Sequence, residues 1–273
     1  MFLSCGMFGG IDSDVAAHWG RMTSTDTDQK NDISNLILGL KEDGVWDLIE
    51  MLNVVHDNEA DSLLDITGNA HDSSKYSTPA FVADRGFTTA AGKAIKTGID
   101  SFTGVYQDDD NSLFFYRRTQ ADTGNTRNIM GAFDYNWDDK QMIYQFYATA
   151  TEHTIYHGGS AVVKSASTYI GFTASSRTSS SDVRVFKDGF STPYSVSSDD
   201  VYPAPRVYVT DLVTHPVWVG GYVNYYGDSV LESAGLGAQD QYSAWGVGGG
   251  MSHSELTYLY NRVTTYLTAR GAI

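Results

Sequence analysis

Cysteine is nearly absent from this chain of 273 residues: Cys5 stands alone. An intramolecular disulfide is therefore excluded, and so is a zinc site built from cysteines. Positive charge is also scarce. Lys and Arg number 18 against 33 Asp and Glu, giving a formal net charge of −15. Non-specific attraction to nucleic acid needs clustered basic side chains, and the sequence has no such cluster. Insertion into an anionic membrane surface is disfavoured for the same reason. No apolar run approaches the roughly 20 residues that a membrane-spanning helix requires. The opening segment MFLSCGMFGG lacks a basic start, and Ser4, Cys5 and Gly6 break its apolar run, so no secretory leader is expected. Proline is rare, with 5 residues against 27 glycines. Even so, 19% charged and 41% hydrophobic residues make a folding composition rather than a disordered one. The partners left open are neutral glycans, other protein surfaces and cations held by acidic loops.

Tyrosine is what the chain has in excess: 18 residues, beside 12 Phe and 5 Trp. Its rigid ring and polar tip suit sheet surfaces and binding faces alike. The length admits one large domain or a domain with a helical appendage.

The first fifty residues read as helical. SDVAAHWGRM follows Asp12 and Ser13, either of which can cap it. Ile33, Leu36, Ile37 and Leu40 then recur on one helical face, with Asp26, Thr27 and Asp28 as caps and Gly44 as the stop. In VWDLIEML, the spacing of Val45, Leu48 and Ile49 predicts a second short helix. From Leu52 the period changes to short runs of β-branched and aromatic residues between Gly, Asn, Asp and Ser. Examples are LNVVH (52–56), SLLDIT (62–67), SLFFYRR (112–118), QMIYQFYATA (141–150), TYIGFTA (168–174), PRVYVTDL (205–212), PVWVGGYVNYY (216–226) and YSAWGVGG (242–249). Many short strands joined by turn residues predict a sandwich or jelly roll. DVRVFKDGF predicts a hairpin, because Asp188-Gly189 suits a type I′ turn. The chain then closes with a helix. Ser252 and Glu255 form a capping-box pair ahead of the stripe Leu256, Leu259, Tyr260, Val263 and Leu267, and Gly271 ends it.

Three stretches in order resemble the concanavalin A-like, laminin G-type jelly rolls of phage tail and virion proteins. The first runs from Arg21 to Gly68, a helical lead-in ending in SLLDITG. The second is FVADRGFTT (81–89), similar to that family's T-x-D-R-G-Y/F step into the sandwich. The third comprises ASSRTSSSDVRVFKDGFS (174–191), VWVGGYVNYYGDS (217–229) and YSAWGVGGGMSHSELTYLYNRVTTYLTARG (242–271). The resemblance implies a mainly β, two-sheet jelly-roll sandwich with N-terminal helices and a C-terminal amphipathic helix. It divides the chain into an arm and helical segment (1–50) and a sandwich (51–273) closed by a helix over 252–270. It also implies a virion location, as a tail, fibre or capsid-decoration subunit. Residues 1–50 would dock on other virion proteins, the chain would self-associate as a homo-oligomer, and host-surface glycan would be a partner. No catalytic residues are carried over. The alternative is a glycan-binding lectin module without a virion role, and a further one is a glycoside hydrolase.

Each chemistry leaves a testable pattern. Hydrolases of this fold alternate acidic residues along one strand so that they share a cleft. The sequence has no E-x-D-x-E run in any predicted strand, so no enzyme activity is expected. His153 and His157 have the spacing of a zinc-protease helix, but Thr154 stands where the general-base Glu belongs. Their neighbours favour a strand, which separates the pair by about 13 Å. No cofactor is expected unless an acidic loop holds calcium. The candidates for that are Asp108, Asp109, Asp110 and Asn111, with Asp134, Asn136, Asp138 and Asp139 as a second loop. For a glycan, aromatic rings suit the apolar face of a pyranose, and Asn or Asp suits its hydroxyls. Trp137, Tyr222, Asn224, Tyr225, Tyr226 and Asp228 are the residues of that kind next to turns, whereas Trp218 and Trp245 are expected in the core.

Overall fold

Caps define the helical start. In the computed structural model Asp12 begins α1 (Ser13–Arg21), its carboxylate accepting from the Asp14 N–H at 3.0 Å. Asp26 begins α2 (Thr27–Glu42) in the same way, through the Asp28 N–H at 2.9 Å. Free N–H groups at a helix start favour such caps. The structure describes residues 10–90, 92–100, 110–119, 127–133, 142–148, 153–157, 160–164, 170–179, 182–195, 216–220, 222–226, 229–233 and 240–273. The predicted strand at 205–212 lies outside them.

Two expectations for the next segment fail. Residues 45–50, whose spacing predicts a helix, form one 3-10 turn (Trp46–Leu48) and then enter β1 (Ile49–Val54). The cause is pairing with a late strand, in which Leu52 stands opposite Gly246 and Val54 opposite Ala244. A strand covered on both faces is apolar throughout, and a short run of that kind mimics a buried helix. SLLDIT (62–67) is not a strand either; it follows α3 (Glu59–Ser62) and makes turns. Asn58 caps α3 through the Asp61 N–H at 2.8 Å, and the Asp65 carboxylate accepts from the Leu52 and Thr67 N–H groups at 3.0 Å. Side chains that take up backbone donors in this way compete with a strand ladder.

Strands then dominate: β2 (Ser74–Tyr76), β3 (Ala80–Val82), β4 (Gly86–Thr88), β5 (Ala94–Asp100), β6 (Asn111–Thr119), β7 (Arg127–Phe133), β8 (Met142–Ala148) and β9 (His153–His157). They continue as β10 (Ser160–Lys164), β11 (Gly171–Ser179), β12 (Asp182–Lys187), β13 (Phe190–Ser195), β14 (Pro216–Val219), β15 (Tyr222–Tyr226), β16 (Ser229–Ser233) and β17 (Gln241–Gly248). One sheet has the order β13-β12-β11-β6-β17-β4-β3, with β1 also on β17; the other has the order β10-β9-β8-β7-β14-β5-β2. The described pairings are antiparallel. The β12–β13 hairpin turns at Asp188 and Gly189 with φ of +45° and +88°, the left-handed pair that a type I′ turn needs.

Alternation along the strands builds two cores. Leu113, Phe115, Trp245 and Val247 point from the first sheet toward Ile95, Ile99, Met130 and Val219 of the second. Their neighbours Phe114, Phe172, Phe186 and Ala244 form a second core with Val15, Ile33, Leu40 and the closing helix α4 (His253–Ala269). The architecture is therefore three layers, helices on sheet on sheet. On α4, Tyr260 packs its ring against Phe172 and Phe186 at centroid distances of 5.8 and 5.9 Å. No helix among the described residues is long and apolar enough to cross a membrane.

Two local devices lock this arrangement. In FVADRGFTT, Gly86 takes φ +100°, and a Cβ there would lie 1.9 Å from the Tyr242 carbonyl, so only glycine lets β4 approach β17. At α4 the capping box is complete: the Ser252 hydroxyl accepts from the Glu255 N–H, and Glu255 Oε2 accepts from the Ser252 N–H at 2.6 Å. Ser252→Ala is expected to lower stability by about 1 kcal/mol. In urea denaturation this shifts the midpoint while the slope stays constant; an unshifted midpoint would show that the cap carries no stability.

Candidate functional site

β15 and β16 pair with each other as a two-stranded ribbon, β15 lying beside β7 and β14. The chain leaves β14 at Gly220, whose φ is +74° and whose N–H donates to the Ile129 carbonyl at 2.7 Å. A Cβ on Gly220 would lie 2.4 Å from the Thr89 side chain, so this sharp exit toward the ribbon also requires glycine. The ribbon's register sets Tyr222 opposite Ser233, Asn224 opposite Leu231, Tyr225 opposite Val230 and Tyr226 opposite Ser229. Strand alternation puts positions 222, 224 and 226 on one face and position 225 on the other. Three of the four described glycan candidates thus share a face, and Tyr225 does not. Trp137 and Asp228 lie outside the described residues. Trp218, expected in the core, is buried beside Ala94 and edge-on to Tyr76 at 5.2 Å.

The acidic-loop candidates are only partly described. Asp108 and Asp109, like the second loop, lie outside the described residues. Asp110 Oδ1 accepts from the Gly250 N–H at 2.6 Å, joining the entry of β6 to the exit of β17. Asn111 is buried and pairs with Arg177 in the ladder. Among the described residues no three His, Cys, Asp or Glu side chains converge as a metal cage would require.

The strongest electrostatic features lie elsewhere. Arg117 of β6 and Asp240, just before β17, form an ion pair at 3.0 Å with side chains 1% and 0% exposed. The Asp240 carbonyl also accepts from the Thr89 N–H at 2.9 Å. Between α1 and the first sheet, His18 and His56 are buried with ring centroids 5.9 Å apart. The Gln29 amide contacts His56 Nδ1, and Tyr266 stands edge-on 6.3 Å from His56 while donating its hydroxyl to the Val55 carbonyl at 2.6 Å. Burial holds both imidazoles neutral. It lowers His18 to about 4, helped by Arg21, and His56 to about 3, helped by His18. Burial likewise pushes the Tyr266 phenol well above its ordinary range. His153 and His157, the pair with zinc-protease spacing, sit on the strand β9 instead of a helix. The signals for the buried pair were His18 three residues after Val15 on a helix face, and His56 directly after the apolar run of β1.

No protein-family model and no curated sequence matches the chain. Solved structures do. The binding domain of botulinum neurotoxin serotype D superposes with a TM-score of 0.51 at 8% identity, over 79% of this chain and 51% of that chain. For botulinum neurotoxin type C, whose cell entry is dependent upon interaction with two ganglioside molecules, the TM-score is 0.51 at 9% identity, over 79% and 52%. Trypanosoma rangeli sialidase gives 0.50 at 11% identity, over 85% of this chain and 38% of that chain. This chain thus spans about half the length of the neurotoxin chains it matches. What is shared at such identity is the fold: a mainly β sandwich of two antiparallel sheets.

Proposed function

We propose that this chain is a carbohydrate-binding module that recognises neutral glycans through the β15–β16 ribbon. The observation that supports it best is the likeness of the sandwich to neurotoxin binding domains, one of them tied to ganglioside interaction. Tyr222, Asn224 and Tyr226 add the residue types that sugar recognition needs, at alternate positions of one strand. Aromatic rings stack on apolar sugar faces, and an amide hydrogen-bonds hydroxyls. The net charge of −15 supports a neutral ligand, since it repels a sialylated one at long range and leaves a neutral one unaffected. The module binds without cleaving, in keeping with a sequence that has no alternating carboxylates on a strand. In the same proposal the sandwich is of the jelly-roll kind and works on a virion, a setting that the order of sequence motifs supports.

A glycan array carrying neutral and sialylated oligosaccharides tests this directly. The expected outcome is binding to neutral glycans, weakened by about tenfold in Tyr222→Ala and in Tyr226→Ala, each worth about 1.4 kcal/mol. Tyr225→Ala, on the opposite ribbon face, should leave affinity unchanged. An array without saccharide binding would sink the proposal. Binding indifferent to position 222 and position 226 would move the site elsewhere, and hydrolysis of any arrayed glycan would replace a module with an enzyme.

A further inference from the structure

Few groups hold α1 to the rest of the molecule. Of its 9 residues only Val15 and His18 are fully buried, with Trp19 half-buried against the same core. Trp19 Nε1 donates to the Lys30 carbonyl at 3.2 Å, and Arg21 reaches the Asp65 carbonyl at 3.1 Å and the Asp72 carboxylate. Lys41 pairs with Asp12 at 2.7 Å and Asp14 at 2.6 Å. These ion pairs are solvent-accessible, and such pairs contribute little. Beneath α1, His18 faces His56. Neither ring nitrogen of His18, nor Nε2 of His56, has a hydrogen-bond partner among the described residues.

A proton on either ring would find little compensation: only the Asp65 carbonyl, shared with Arg21, stands ready to accept from His18. Arg21 on α1 and Arg270, the residue capping the end of α4, oppose it by charge, while Asp61, Asp72 and the Asp65 carbonyl favour it. The Asp61 carboxylate is already engaged by the Thr23 N–H and hydroxyl, the Ser24 N–H and the Asn58 amide, at 2.8–2.9 Å. Burial works to raise its pKa, yet those hydrogen bonds carry the net shift downward, so it stays ionised and occupied. Asp72 is held by Arg21 and by the Asp65 N–H at 2.9 Å. Asp57, beside His56, accepts from Ser24 and Asn58. Asp65 accepts from Leu52 and Thr67, and its carbonyl, close to His18, already takes Arg21. From α2 comes the uncharged Gln29, and from α4 the un-ionised Tyr266.

We propose that α1 is an acid-released flap: protonation of the His18–His56 pair lifts α1 from the sandwich while both sheets stay folded. Lifting α1 gives both rings to water, where histidine titrates near its model value of 6.5. Docked, both rings are neutral; lifted, both accept protons. Docking is therefore strongest above about pH 6.5 and weakens as pH falls toward about 4, the docked value of His18. At pH 5 each histidine favours the lifted state on the order of 30-fold, and the two together on the order of 1000-fold.

Hydrogen–deuterium exchange of the full chain at about pH 7.5 and about pH 5, corrected for intrinsic exchange, reads the flap directly. The expected result is a roughly 100- to 1000-fold loss of protection in α1, with β6 and β17 unchanged. His18→Phe removes a titrating ring and no hydrogen bond, so it should fold and cut that loss by roughly 30-fold. His56→Gln keeps an acceptor for Gln29 and should do the same, which leaves a test in hand where one variant fails to fold. Three results overturn the proposal. They are α1 protection that does not change with pH, equal loss in β6 and β17, and an unaltered pH response in both variants.

Discussion

Asp240→Ala is expected to lower the free energy of unfolding by about 3–5 kcal/mol, because it removes a carboxylate paired with a buried guanidinium. Arg117 and Asp240 have side chains 1% and 0% exposed, so solvent cannot replace the lost oxygen at 3.0 Å. The substitution keeps the Asp240 carbonyl, and with it the bond from the Thr89 N–H, so the loss reports on charge rather than on the strand entry. Urea denaturation followed by far-ultraviolet circular dichroism measures it. The double variant Arg117→Met with Asp240→Leu should recover most of the loss, since a packed apolar pair replaces a buried ionic one at little cost. A single variant within about 1 kcal/mol of the wild type would mean that the guanidinium is hydrated or otherwise compensated, and that the pair does not hold the sheet.

Trp245→Ala should cost about 3–5 kcal/mol, from lost burial and the cavity left between the sheets. Trp245 is 0% exposed on β17, lies edge-on to Phe87 at 5.9 Å, and donates through Nε1 to the Ser73 hydroxyl at 3.1 Å. Ser73 passes the chain on to Asn53 Oδ1 at 3.1 Å, so the ring also anchors the polar turn that replaces the expected strand at 62–67. The melting temperature should fall by roughly 6–20 °C. Trp245→Phe retains the packing and removes the hydrogen bond, at a cost of about 1–2 kcal/mol. A melting temperature that survives Trp245→Ala would contradict the packing of the inter-sheet core.

Where the sequence carried a local mechanism, it could be read. Ser252 with Glu255 gave the start of α4, Asp188-Gly189 gave the hairpin, and the stripe Ile33, Leu36, Ile37 and Leu40 gave α2. The failures share a cause. β1 was legible from Leu52 onward in LNVVH, but its start, residues 49–51, lies between helices and the second sheet and its apolar residues imitated the end of a helix. Residues 62–67 carry Asp and Thr side chains that satisfy the backbone themselves, which composition alone does not reveal. The candidate site was legible as residue types and not as a face. Only an unbroken strand over Tyr222–Tyr226 separates position 225 from positions 222, 224 and 226. His18 and His56 become one feature only when α1 folds over the end of β1, a contact between parts of the chain far apart in sequence.

The position of β17 has a consequence for how the chain is made. It lies between β6 on one side and β1 with β4 on the other, so strands from the start of the sequence meet a partner near its end. At ordinary rates of synthesis, the stretch between Val54 and Gln241 takes on the order of 10–40 s to emerge. Through that interval β1 lacks the ladder described for it, and the edge of β6 that β17 covers stays open. Topologies dominated by such distant pairings fold slowly. The nascent chain should therefore depend on chaperones holding that edge apart from its neighbours until Trp245 arrives to seal it.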